Sequence, residues 1–368
     1  MFRILRRRRI RLWREDFGFM NRPVVAVTMG DPGGVGPEVI AKALKNPEKF
    51  KNVFLLLIGT SVVFEFLEEE LHLKLPLNPI PTLDRSFLRE DSINFLDVTE
   101  EARWLLKKHL LPEPSEENLF EIGKVSATNA AMALAALKAG AYQGATGLID
   151  ALVTAPVNKE AVQLLEPKFH GHTEYLAHIA RTKTFAMMFL KNAEPGSPPL
   201  RVTLVTIHVP LKKVSRLITE EAILEKIRLT HEFLKERVKI TKPRIAVSAL
   251  NPHGHETGEE EEKVIEPAIE KARQEKISVC GPISGDRIFY EAAEGRHDAV
   301  ISMYHDQALA PFKLVAFETG VNLTLGLPYV RTSPDHGTAF DIAYQGKANP
   351  ASMQSALACA LDLVRKKQ

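Results

Sequence analysis

The chain has 368 residues, 45% of them hydrophobic and 26% charged. That is too long for one ordinary core at about 100–200 residues per domain. The composition excludes a disordered chain, a collagen and a disulfide-stapled mini-protein, and no apolar run reaches the ~20 residues of a membrane helix. The net charge is +2, but residues 1–19 hold seven Arg against Glu15 and Asp16, which leaves the rest of the chain at −3. Such a body is too acidic for nucleic acid to be its main partner. Cys280 and Cys359 lie far apart and outside any CxxC, which suits a reducing compartment such as the cytoplasm.

The basic head 1–19 can be read as a targeting or membrane-surface segment, as a nucleic-acid arm, or as a disordered extension upstream of the true start at Met20. It lacks a long apolar stretch and a small-residue cleavage site, so the third reading is preferred. From residue 24 onward, short β-branched runs at 24–28, 53–58, 151–154, 202–207, 244–248 and 299–303 read as strands, with helical periods between them. This alternation predicts an α/β fold, a parallel or mixed sheet with helices on both faces.

The first strand runs into Gly30-Asp31-Pro32-Gly33-Gly34-Val35-Gly36-Pro37-Glu38. Pro37 suits the start of a helix, whose N–H groups can hold an anion. The spacing is neither the dinucleotide fingerprint nor the P-loop, so a plain tight turn is the preferred reading and a ligand loop the alternative. An Ala- and Leu-rich helix over 130–139 is expected to end at Gly140. The loop Phe169-His170-Gly171-His172-Thr173-Glu174 opens another helix, with Thr173 as its cap or with His172 and Thr173 donating to an anion. Pro and Gly cluster at 193–199 in a surface loop between two strands. Thr219 caps a helix whose face carries Ile223, Ile227, Leu234 and Val238.

His208, His253 and His305 each follow a strand end, where open α/β sheets bind ligands. Three imidazoles brought together would make a metal site with open positions; three independent hydrogen-bonded histidines is the other reading. Lys313, Asn322 and Arg331 sit in apolar sequence and resemble a phosphate or carboxylate clamp. In the segment 335–350, Gly337 and small residues before a helix would let a flat ligand approach the backbone.

The ordered motifs Gly-Asp-Pro-Gly-Gly-Val-Gly-Pro-Glu (30–38), Gly-His-Thr-Glu (171–174), His-Val-Pro-Leu (208–211), Leu-Asn-Pro-His (250–253), Tyr-His-Asp-Gln (304–307) and Asp-His-Gly-Thr-Ala (335–339) resemble the 4-hydroxythreonine-4-phosphate dehydrogenase (PdxA) family of vitamin B6 biosynthesis. The resemblance runs from about Val24 to the C-terminus. It implies two α/β/α domains with a cleft between them, like the isocitrate and isopropylmalate dehydrogenases: 20–145 with 318–368 on the cofactor side, and 146–317 on the metal and dimer side. It implies a homodimer with a shared site, NAD (with NADP as the alternative), a divalent metal (zinc, magnesium or cobalt) and a small phosphorylated substrate.

The resemblance assigns His208, His253 and His305 to the metal, with His305 reaching into the other subunit. It assigns His172, Thr173, Lys313, Asn322 and Arg331 to the substrate, Asp286 to the vicinity of the reacting group, and Asp335, His336, Gly337 and Asn349 to the cofactor. Asp286 and then Lys313 are the candidate catalytic bases. Three departures stand out: Gly254-His255-Glu256-Thr257-Gly258 replaces the usual Ala-Gly-Glu-Gly-Gly, Ala308 replaces a Gly, and Ile283-Ser284-Gly285 precedes Asp286. The implied reaction oxidises a secondary alcohol and releases CO2 from the resulting β-keto acid. D-threonate or D-erythronate 4-phosphate would serve as substrate in a near relative. An acyltransferase resembling phosphotransacetylase is a rival that needs no three-histidine metal site.

Overall fold

The computed structural model describes residues 22–46, 50–114 and 119–365. The arginine-rich head lies outside them. Among the described residues, twelve strands form one sheet: β1 (Val24–Thr28), β2 (Phe54–Gly59), β3 (Leu77–Pro79), β4 (Ile93–Asp97), β5 (Ala151–Thr154), β6 (Ala186–Lys191), β7 (Leu200–Leu204), β8 (Ile245–Ser248), β9 (Val279–Ile283), β10 (Ala299–Ser302), β11 (Val321–Leu325) and β12 (Val330–Pro334). Their spatial order is β3-β4-β2-β1-β5-β12-β11-β6-β7-β10-β8-β9.

The pairings from β3 to β12 are all parallel, as are those from β7 to β9. Between the two blocks, the pairs β12–β11, β11–β6 and β6–β7 are antiparallel. The C-terminal ends of β7, β10 and β8 therefore share one edge, opposite to the edge where β1, β5 and β12 end. Both blocks belong to one continuous sheet. β5, which the sequence division places with the second unit, lies between β1 and β12.

The central strands are apolar and covered on both faces, as parallel sheets require; every residue of β1 is buried. One side is covered by the helix Ala351–Arg365, tied to β12 where Thr332 Oγ1 donates to the Ala356 carbonyl (2.9 Å). Side chains alternate along a strand, so Tyr329, Arg331 and Ser333 face the other way.

The helix expected to stop at Gly140 runs over Ala127–Ala145. Gly140 is not a terminator but a contact surface. A Cβ there would lie 2.8 Å from Leu152 Cδ1 and 3.0 Å from Thr28 Cγ2, so only glycine lets the helix sit this close to β1 and β5. β7 begins at Leu200, two residues before the expected run, because Leu200 pairs with Lys191 across the hairpin loop 193–199. The Thr219 cap forms as expected, accepting from Ala222 N at 3.1 Å at the head of the helix Glu220–Glu236.

The glycine motif after β1 is a packed turn. Gly34 has the Thr338 carbonyl 2.6 Å from where a Cβ would stand. Asp31 is 1% exposed, with Oδ1 accepting from Gly33 N (2.9 Å) and Oδ2 without a partner. Burial pushes its carboxyl up to about 6, against hydrogen bonds from the backbone of Gly33 and Asn158. Between its ordinary 3.8 and about 6, the folded chain keeps a proton that the unfolded chain has released, so this group lowers stability as pH rises through that window. Asp31→Asn removes the charge and keeps the acceptor. Its stability relative to the parent should be about 2–3 kcal/mol more favourable at pH ~8 than at pH ~4. Melting curves at both pH values check this, and a pH-independent difference would refute it.

Candidate active site

A cavity of about 420 Å³ opens beside β5, β11 and β12 and the first turn of the helix His172–Ile179. Its wall brings together His172, Thr173, His208, Asn322, Arg331 and the run Asp335, His336, Gly337. These residues come from four separate stretches of chain, since Arg331 and Asp335–Gly337 share one.

Arg331 is the centre of the cavity's chemistry. It is 2% exposed. Nη1 donates to Thr324 Oγ1 (3.1 Å) and Nη2 to Thr154 Oγ1 (2.8 Å), while Nε has no partner. Among the described residues, no carboxylate is in ion-pair contact with it. Burial pulls its guanidinium down to about 10, so it is still protonated at neutral pH. A buried, unpaired cation costs several kcal/mol, and two neutral hydroxyls offset little of that. Such a group is poised for an anion.

The neighbours share this open valence. His172 Nε2 is buried without a partner, as is Asn322 Oδ1. Burial, and then the charge of Arg331, press the His172 imidazole down to about 3, so it is neutral. Its helix starts at Gly171 with no side-chain cap. Thr173 is not the expected cap: it lies in the first turn, buried, with Oγ1 3.5 Å from Thr324 Oγ1.

His208 stands exposed at the rim, and its ring centroid lies 5.4 Å from that of His305. Partial desolvation of the ring against the rim, and then the nearby His305, lower the His208 pKa, with Glu174 opposing them, which favours the neutral ligand form. His305 Nδ1 is engaged by Asp306 Oδ1 (2.7 Å), leaving Nε2 as its free ring nitrogen. The pair fits two sites of a metal's coordination shell. His253 is exposed and stands beside Asp286 instead. Among the described residues, no three His, Cys, Asp or Glu side chains stand close enough to hold a metal, so a metal on this pair would need further donors.

Lys313 does not line the cavity. Its Nζ lies 2.5 Å from Asp335 Oδ2 and donates to the Asp335 carbonyl (2.9 Å), so it acts through the wall residue. Asp286 is exposed and its carboxyl is held below the usual range chiefly by Ser284. Asn349 is exposed, its Oδ1 accepting from Ala351 N (3.0 Å). Neither joins the cavity wall. Gly337 does, and nothing lies within 4 Å of where its Cβ would stand. The backbone there is open to a flat ring, which fits a nicotinamide.

A family model described as "Pyridoxal phosphate biosynthetic protein PdxA" matches residues 56–360. The chain belongs to the PdxA family. A 4-hydroxythreonine-4-phosphate dehydrogenase of Desulforapulum autotrophicum is 41% identical over 347 residues, 92% of this chain and 95% of that protein. The D-threonate 4-phosphate dehydrogenase of Pectobacterium atrosepticum is 36% identical over 345 residues, covering 92% of this chain and 99% of its own length. The crystal structure of 4-hydroxythreonine-4-phosphate dehydrogenase from Klebsiella pneumoniae superposes with a TM-score of 0.78 at 32% identity, covering 94% of this chain and 100% of that one. In this PdxA-family chain, sequence reasoning missed Thr154 and Thr324, the two hydroxyls that orient Arg331. Their signal was a polar residue in or ending an otherwise apolar strand. It also gave no role to Glu174, a cavity-wall carboxylate whose charge acts on both Arg331 and His208.

Proposed function

We propose that the chain is an NAD-dependent, divalent-metal-assisted dehydrogenase that oxidises and decarboxylates 4-phosphohydroxy-L-threonine to 3-amino-2-oxopropyl phosphate, in vitamin B6 biosynthesis. The observation that carries this reading is the buried Arg331, with no carboxylate in ion-pair contact among the described residues, set in one cavity with His208 and the open backbone of Gly337.

Arg331 takes the phosphate, with its fork already aimed by Thr154 and Thr324. That interaction is remote from the reacting carbon and supplies binding energy for orientation. His172 and Asn322 present unpartnered polar atoms to the same ligand. Burial of these groups keeps water from competing for the anion. Asp335, His336 and Gly337 form the wall against which the cofactor lies. Of the two candidate bases, Lys313 is closer to the cavity because Asp335 holds it there. When bound, the nicotinamide accepts the hydride, and a metal on His208 and His305 steadies the negative charge that develops on the substrate oxygen. A homodimer supplies the remaining metal donor.

NADH formation from 4-phosphohydroxy-L-threonine tests the reading. We expect turnover that a chelator abolishes and that zinc, magnesium or cobalt restores. The relatives acting on D-threonate 4-phosphate support a second reading within the family, so both substrates are compared with NAD and with NADP. Faster turnover of D-threonate 4-phosphate would establish that reading. No turnover of either would overturn both.

A further inference from the structure

The glycine motif 30–38 lines no part of the cavity, yet it is wired to the segment that does. After Asp335, His336 and Gly337 leave the cavity wall, residues 338–350 run to the last helix with only a short turn, Phe340–Ile342, of their own regular structure. Among the described residues no strand pairs with them, so their position is set by side chains and turns from elsewhere. The hydrogen-bond anchors come from the motif and the helix Gly36–Leu44 that follows it, while the Tyr344 ring packs on Phe66 and Phe120.

The main anchor is an ion pair with one partner buried and the other partly exposed. Glu38 is wholly buried and Lys42, one helical turn on, lies with Nζ 2.7 Å from Glu38 Oε1. Lys42 also donates to the carbonyls of Gly346 (2.9 Å) and Ala348 (2.7 Å). An ammonium has three N–H donors, and all three are used. Glu38 Oε1 accepts from Ala348 N as well (3.0 Å). Further along, Tyr344 OH donates to the Pro32 carbonyl (2.7 Å) and Val35 N to the Thr338 carbonyl (2.8 Å). The ends of the segment are thus held to a single helix and its leading turn.

We infer that the Glu38–Lys42 pair is a positioning device for the cofactor: it fixes 338–348, and through it the height of the Asp335–Gly337 wall, and so sets the affinity for the nicotinamide dinucleotide. This inference rests on the reading above that the wall binds that cofactor. It gives the motif a function without making it a ligand loop. Lys42 and Glu38 touch no ligand; they act through the segment.

The test is NADH binding by fluorescence to the purified protein without substrate, alongside inorganic phosphate binding by calorimetry and the melting temperature. Lys42→Met should raise the NADH Kd roughly tenfold, the scale of removing one charge-assisted hydrogen bond. Phosphate affinity, which reports on Arg331, should change less than about twofold. Lys42→Arg keeps the charge and several donors and should recover most of the affinity. Tyr344→Phe removes only the Pro32 bond and guards against an unfolded Lys42→Met; it should weaken NADH about twofold or more with the fold intact. Unchanged NADH affinity in Lys42→Met and Tyr344→Phe would overturn the inference and leave the functional reading standing. So would parallel loss of NADH and phosphate binding, the mark of a merely structural pair. A parent protein that does not bind NADH would overturn the functional reading, and this inference with it.

Discussion

Changing Arg331 to Lys is expected to lower kcat/KM for the phosphorylated substrate by roughly 10- to 100-fold, the scale of about 1–3 kcal/mol for charge-assisted hydrogen bonds. Lysine keeps the charge but not the planar fork. Thr154 Oγ1 and Thr324 Oγ1, which now accept from Nη2 and Nη1, would no longer be spanned by two spaced donors in one plane. The loss should shrink for an analogue without the phosphate. An equal loss for both would place Arg331 on the carboxylate. Arg331→Met sharpens the contrast. It should be inactive yet as stable as the parent or more so, because it removes a buried cation with no ion-pair contact among the described residues. A melting temperature well below that of the parent would show that Arg331 stabilises the empty fold, and would end its assignment as an anion site held at a cost.

Replacing His208 or His305 by Ala should reduce metal-supported turnover by at least about 100-fold, since each would supply a ligand that the other cannot replace. His208 is exposed and His305 partly so, so melting temperatures should hardly move. A His305→Ala variant with near-normal turnover in added metal would remove it from the site. Mixing the two inactive variants separates the possible assemblies. If His305 completes a partner's site, exchange of subunits creates one intact site per mixed dimer and activity returns in part. Verified exchange without recovery would mean that the intrachain ring pair, 5.4 Å apart, is itself the working unit.

Much of the frame was legible because it depends on local patterns. Four of the six runs read as strands match β1, β2, β8 and β10 to within a residue, and 151–154 is β5 itself; β-branched residues bounded by turn formers have few other options. The Thr219 cap and the loop 193–199 are equally local. The strands that were missed, β11 and β12 above all, carry Asn322, Thr324, Arg331, Thr332 and Ser333. Their sequence reads as apolar surroundings of a clamp rather than as strands, because Asn322, Thr324, Arg331 and Ser333 interrupt each apolar run. A functional cleft thus disguises its own walls: polar residues at buried positions break the apolar pattern on which strand reading relies.

The candidate residues themselves could be named from motif order, because each motif is short and keeps its chemistry in a few adjacent side chains. Sequence alone determined the α/β class, the family resemblance and the set of histidines and cations. Only the tertiary structure decided which of them meet. It joined His208 to His305 and left His253 beside Asp286, turned Lys313 onto Asp335, and made Gly140 a packing surface. It also buried Arg331 with no carboxylate in ion-pair contact among the described residues. Distances between residues far apart in the chain, and the loss of solvent that gives a charge its strength, arise only when the sheet closes over them.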